Sequence, residues 1–398
     1  MQKRLLMLNA STHEIPFILA ARKLGFYVIT TSTKAEYEGH KYADEYVYGN
    51  YNDYEEMVAL AKRLKIDAVS HACTDDCALS AAYIGERLGL KGHDTYENAQ
   101  IIHRKDKFKE FALKNKVLTP RSYSFESYTE ALEYGRTAQY PVIVKPTDLA
   151  GGQGIHVAEN YNEFALFAQQ AFTRSNSKKI VAERFLRGTL HSLCTFIVDH
   201  KVVAYCPIND YSFKNQYMTN SGLAPAEDWE NAVKILIPET ERIASILGLV
   251  DGQLHMQYIL EDGKPYIIEM MRRNIGNNFT TTVTDFIGVN WPEWVMRAEA
   301  GMDCHMIPES RMAEGHFGYH MIMGDRNGTF QEIKIDPEFE QYVYQFTQWA
   351  EDGHVIENYM SEKLGNVLFR FPTDTEKKKY LPHINELVRV VYKEEKQN

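Results

Sequence analysis

Short apolar runs at residues 4–8, 27–30, 46–48 and 67–72 alternate with stretches whose apolar positions recur at helical spacing. The helix starts are marked. Ser11-x-x-Glu14 forms a capping box with Pro16 in the first turns, and Asp53-x-x-Glu56 opens a helix with Met57, Leu60, Ala61 and Leu64 on one face. A helix over 78–88 closes at Gly89. Strand–helix alternation through residues 1–112 predicts an α/β domain with a doubly wound parallel sheet. The first strand-to-helix turn, Asn9-Ala-Ser-Thr-His13, lacks the G-x-G-x-x-G that lets a pyrophosphate approach the backbone. A dinucleotide-dependent oxidoreductase is therefore supported by the alternation alone.

Beyond residue 112 the pattern becomes α+β. Residues 97–115 read as one long helix carrying Lys105-Asp-Lys107. Ser127-x-x-Glu130 caps another helix, and the run 141–146 is a strand with Lys145 near its end. Strands at 155–158 and 179–183 enclose a helix over 162–174, and two more flank an Asp199-His200 turn. A polar connection spans 209–228, with Lys214 and Tyr217 as candidate contacts, and a helix over 238–247 starts at Pro238. The tail predicts mixed pieces ending in a helix within 375–391.

Three stretches carry candidate chemistry. Residues 253–260 and 265–268 read as a hairpin about Asp262-Gly263-Lys264. A three-residue loop would set Glu261 against Pro265 and Gln257 opposite Glu269. Alternation then puts Glu269, Met271 and Arg273 on one side, a set able to hold a cation and phosphate oxygens. A solvated surface hairpin has the same composition. Gly151, Gly152 and Gly154 can lay backbone N–H groups around phosphate oxygens, with Lys145 to pair them, or can form a plain turn. Glu183-Arg-Phe-Leu186 is a strand running into a short hinge, whose backbone could read an adenine edge while Leu186 covers its face.

The net charge of −10, with no basic block, argues against nucleic acid as a partner. No apolar run reaches membrane-spanning length, and residues 5–8 are too short for a signal peptide. Five scattered cysteines suit the reduced thiols of a cytoplasmic protein, and their spacing suggests no zinc site. His156 and His255 read as packed or solvent-facing residues rather than ligands.

In this order, Asp106-Lys107, Lys145 with the glycine loop, Glu183-x-x-Leu186 and the hairpin bearing Glu269 and Arg273, the chain resembles the ATP-grasp superfamily over residues 1–310. The phrases Ala43-Asp44-Glu45 and Ile66-Asp67-Ala68 are similar to the domain preceding the grasp in biotin carboxylase, carbamoyl-phosphate synthase and amino-acid ligases. The resemblance implies an N-terminal α/β domain (1–112), an ATP-grasp lid (113–190), a catalytic subdomain (191–310) and a small C-terminal extension (311–398). It implies ATP and Mg²⁺ as cofactors and a cytoplasmic ADP-forming ligase. Such an enzyme joins a small-molecule carboxylate to an amine through an acyl phosphate, and the resemblance favours a homodimer. Lys107 and Lys145 would hold the phosphates, and Gly151, Gly152 and Gly154 would close over them. Glu183, Phe185 and Leu186 would seat adenine, Glu269 with Gln257 would hold Mg²⁺, and Arg273 would bind the acyl phosphate or its precursor.

The chain departs from the family pattern at three positions. Gln257 replaces a carboxylate, Met271 replaces the asparagine of E-x-N-x-R, and Leu190 replaces a ribose-binding glutamate. A thioether does not serve Mg²⁺. The metal site is therefore expected to thin to Glu269, helped by the Gln257 amide, Asn274 or Asn278. Glu269-Met-Met-Arg-Arg-Asn-Ile-Gly276 resembles a Glu-x-x-Arg-Arg-x-x-Gly branch of the superfamily. The same departures motivate a second reading, a non-catalytic or regulatory ATP-binding protein of this fold.

Overall fold

The computed structural model describes residues 2–149, 152–276 and 279–394. Four parallel strands open the chain, in spatial order Glu45–Tyr48, Tyr27–Ser32, Arg4–Leu8 and Ala68–Ser70. Helices Ile15–Lys23, Tyr54–Leu64 and Asp75–Leu88 connect or follow them. Local chemistry sets the helix ends: Asp53 accepts from the Glu56 N–H at 3.0 Å, and Gly89 closes the third helix at φ +65°. Ser11 Oγ donates to Glu14 at 2.6 Å, and the second Glu14 oxygen accepts from the Cys73 N–H at 3.1 Å. The buried Glu14 thus fastens the loop after the first strand to the loop after the fourth.

A second sheet, all antiparallel, runs Ser122–Phe125, Ile180–Arg184, Val142–Pro146, His156–Ala158. Helices Tyr128–Thr137 and Tyr161–Arg174 cover it, packing Ala131, Phe164 and Ala168 on Val142 and Val144. The largest sheet has eight strands, in the order Lys264–Met271, Gly252–Glu261, Thr189–Val198, Lys201–Tyr211, Ser221–Ala224, His316–Met323, Lys363–Phe371, Val343–Gln348. Because side chains alternate, Leu193, Leu254 and Met256 enter a core with helix Trp229–Leu247, while Cys194 and Phe196 enter the core shared with the N-terminal sheet. The strands on either side of residue 310 share this sheet, and a three-stranded sheet of Val355–Ile356, Gly328–Ile335 and Val388–Tyr392 follows.

Four expectations need correction. The helix expected over 97–115 is two helices, Tyr96–His103 and Lys105–Lys114, broken where Arg104 takes an extended conformation (φ −105°, ψ 120°). The break leaves His103 buried against Asp75. The connection 209–228 contains the end of strand Lys201–Tyr211 and a further strand, Ser221–Ala224. Helix Trp229–Leu247 carries Pro238 in its interior. Its buried face of Ala232, Val233, Leu236 and Ile243 outweighs the lost backbone bond, about 3 kcal/mol for an interior proline. In the tail, Pro382 interrupts the helical pattern, giving Asp374–Tyr380, a short turn Ile384–Leu387 and then strand Val388–Tyr392.

Candidate active site

The hairpin bearing the candidate acid is tighter than expected. Asp262 and Gly263 have φ of +50° and +73°, so the loop has two residues and Glu261 pairs with Lys264, not Pro265. That loop alone would set Gln257 against Ile268. A bulge at the Gln257/Tyr258 step absorbs one residue, and Gln257 still ends opposite Glu269, with His255 opposite Met271. Ile267 and Met270 consequently both reach the core beneath helix Trp229–Leu247. Glu269, Gln257 and His255 share the other face.

Among the lysines, the structure brings Lys109 and Lys145, not Lys107, to Glu183. Lys107 is exposed and its ammonium meets Gln100. Lys109 is 6% exposed, with Nζ 3.4 Å from Glu183 Oε2 and donating to Thr119 Oγ1 at 2.8 Å. Lys145 Nζ lies 3.4 Å from the same Glu183 oxygen. Burial pushes Lys109 down to about 8, against the pull of Glu183 and, more weakly, of Glu269. Burial would raise the Glu183 carboxyl, but the two ammonium groups outweigh it and hold it below its ordinary value. A helical projection could have found Lys109. It lies on the side of Lys105 and Ala112, whereas Lys107 is roughly opposite.

Gly151 lies outside the described residues. Gly152 has φ +75°, and a Cβ there would sit 2.5 Å from Tyr217 O, so only glycine lets this loop rest on the 212–220 connection. Lys105 Nζ donates to Leu149 O at 2.9 Å, and the Phe185 N–H donates to Pro141 O at 3.2 Å, beside the buried Leu186. Gly154 shares the left-handed conformation, at φ +71°.

Around Glu269 the structure adds a residue that the sequence reading missed. Asp210, 7% exposed, accepts from Gln257 Nε2 at 3.1 Å and from the Ser192 hydroxyl. Burial pushes the Asp210 carboxyl up to about 6, and the Glu269 charge adds to the rise. Its signal was the inward alternation Ala204, Cys206, Ile208, which continues to position 210. Asn274 is committed elsewhere, accepting from Gln253 Nε2 at 2.6 Å, and Asn278 lies outside the described residues. His255 is buried against Phe279, and His156 stacks on Phe167. Among the described residues no three His, Cys, Asp or Glu side chains converge as a metal cage.

The two arginines divide the work. Arg272 is structural: it pairs with Asp94 at 2.8 Å and donates to Gln253 O and Val250 O, each at 2.7 Å. Arg273 Nε donates to Asp75 Oδ1 at 2.8 Å; the Glu269 charge is felt at Arg273, and the Arg273 charge at Lys363. Burial together with Arg273 brings Lys363 down to about 8. Lys363 and Trp349 wall a cavity of about 410 Å³ that also includes His354 and Glu362. The Trp349 ring meets His13 edge-on at 5.7 Å, and a side chain on Gly276 would come within 3.5 Å of His13. The C-terminal region therefore reaches the segment carrying Arg273.

A family described as "Carbamoyl-phosphate synthase L chain, ATP binding domain" matches residues 104–289. The carbamoyl phosphate synthase large chain of Clostridium beijerinckii is 21% identical over 261 residues, 64% of this chain and 24% of that protein. The chain thus spans about a quarter of the length of the curated relatives it matches first. The L-amino acid ligase of Bacillus licheniformis superposes with a TM-score of 0.81 at 20% identity, covering 99% of this chain and 100% of that one. The biotin carboxylase domain of Hydrogenobacter thermophilus 2-oxoglutarate carboxylase, solved with MgADP, ADP and bicarbonate, gives 0.78 at 18% identity, covering 98% and 91%. Residues 104–289 thus match the ATP-binding domain of that family, and the chain as a whole shares the ATP-grasp fold of these structures.

Proposed function

We propose that the chain is an ATP-dependent, ADP-forming ligase that joins a carboxylate to an amine through an acyl phosphate. One observation carries this reading. Lys109 and Lys145 meet at Glu183, and Glu269 lies within electrostatic reach of both Lys109 and Arg273, so cationic and anionic groups form one strip. Phosphoryl transfer needs such positioning and charge placement more than a side-chain nucleophile.

In this scheme Lys109 and Lys145 bind the triphosphate, and the glycine loop excludes water that would hydrolyse the intermediate. Arg273, with Lys363 beyond it, holds the acyl phosphate or its carboxylate precursor, and the cavity by Trp349 receives the second substrate. Magnesium fits the residues present. Glu269 and the Gln257 carbonyl oxygen are hard donors without hydrogen-bond partners among the described residues, and this ion is commonly held by one or two carboxylates plus substrate phosphates. When bound, it would neutralise charge on the transferring phosphoryl group. The carboxylase domain named above is described as a dimer, and a homodimer is expected here too.

The test is phosphate release over a panel of carboxylates and amines, run beside Lys145→Ala. Substrate-dependent release by the wild type alone is expected. Equal background in both proteins would instead favour the second reading, a nucleotide-binding protein without turnover, which the amide at position 257 motivates.

A further inference from the structure

We infer that Asp210 supplies the second carboxylate of a divalent-cation site formed with Gln257 and Glu269. The inference rests on the ATP-dependent reading above and assigns the cation in it a ligand from another strand.

The four side chains form one row across the sheet. Glu269 pairs with Gln257 in register, Gln257 pairs with Ser192, and Asp210 reaches back over Ser192 from the next strand. Only one Asp210 oxygen, Oδ2, is engaged by Ser192 and Gln257. Oδ1 has no hydrogen-bond partner among the described residues, yet it is not sealed from solvent. A carboxylate only accepts, so the Gln257 amide must turn its nitrogen to Asp210 and its carbonyl oxygen away. Asp210 is thereby both an oxygen donor and the group that orients Gln257.

Charge gives the second argument. Asp210 is buried and forms no ion pair among the described residues, and it shares its face of the sheet with a second acid, Glu269, through Ser192 and Gln257. Two carboxylates sharing one face without a cation are costly. A divalent cation between them removes that cost, and Asp210 supplies the negative charge that the amide at position 257 lacks. The soft Met271 need not take part.

The experiment is calorimetric titration with ATP, in Mg²⁺ and in EDTA, for wild type, Asp210→Asn and Asp210→Asn/Gln257→Glu. The asparagine keeps an acceptor for Ser192 and Gln257 and replaces the free Oδ1 and the charge by an uncharged NH2. The factor by which Mg²⁺ tightens ATP should fall about tenfold or more in Asp210→Asn, with EDTA affinity changed less than about twofold. Moving the charge to position 257 in the double variant should restore most of the factor. An undiminished Mg²⁺ factor in Asp210→Asn overturns the assignment of Asp210 while leaving ATP binding intact. A wild type that does not bind ATP overturns the functional reading and the inference together. Gln257→Glu alone adds an independent arm: three carboxylates should lower the melting temperature of the metal-free protein, and Mg²⁺ with ATP should recover it. No such lowering would also count against the assignment.

Discussion

Arg273 meets Asp75 at 2.8 Å, joining the hairpin of the eight-stranded sheet to the first turn of a helix in the N-terminal unit. The same Asp75 oxygen is 2.9 Å from His103 Nδ1. Burial opposes the charge on Asp75, but Arg273 and His103 together hold its carboxyl well below the usual range. Asp75 therefore positions Arg273. Asp75→Asn should lower kcat/KM for the carboxylate substrate about tenfold or more, while ATP affinity stays within about twofold. Arg273→Lys should behave similarly, because an ammonium cannot fork a carboxylate. Steady-state kinetics beside calorimetry would check both.

The lysines give a sharper contrast. Lys109→Ala and Lys145→Ala should each weaken ATP binding by about tenfold or more, whereas Lys107→Ala should change it less than about twofold. Lys107 rests on Gln100 at the surface, and the other two share Glu183. A large effect at Lys107 with none at Lys109 would reverse the proposed roles of the two lysines.

Lys109 also sets a pH dependence. Its ammonium is present below about 8 and is lost as the pH rises through that value. ATP affinity should therefore decline above pH 8 in the wild type, and Lys109→Arg, which stays charged, should remove the decline. Stability moves the other way. The unfolded lysine keeps its proton to about pH 10.4, so between the two values the unfolded state binds more protons and this residue makes stability rise with pH.

His320 makes a prediction for the acid side. It is buried beside Ser221, with Nδ1 2.5 Å from Oγ, and burial, aided by the charge of Lys214, pushes it down to about 3. The native histidine stays neutral where the unfolded one takes up a proton. Its contribution is present above about pH 6.5 and is lost as the pH falls toward 3, with a slope of at most about 1.4 kcal/mol per pH unit. His320→Gln should flatten the acid limb of a denaturant-measured stability profile by that one proton.

The N-terminal unit was legible because its signals are local: Asp53 caps its own helix and Gly89 ends the next. Lys145, Glu183 and Glu269 were legible because each sits at a definite place on a strand. Lys109 and Asp210 were not, since each gains its meaning from partners far along the chain, Glu183 for one and Gln257 for the other. The break at Arg104 has no glycine or proline to announce it and is stabilised by tertiary contacts of His103. Pro238 misled for the opposite reason, as a strong local breaker overruled by the buried face around it.

The bulge beside Gln257 makes the hairpin unequally tolerant of changes in length. With Ile268 missing, plain alternation from Ile267 would still aim Glu269 where it aims now, so the span next to the turn can shed a residue without disarming the protein. Between Glu269 and Arg273 there is no such slack. A single loss there would swing the guanidinium to the oily side, and natural variants should accordingly differ in length before the acid and never just after it.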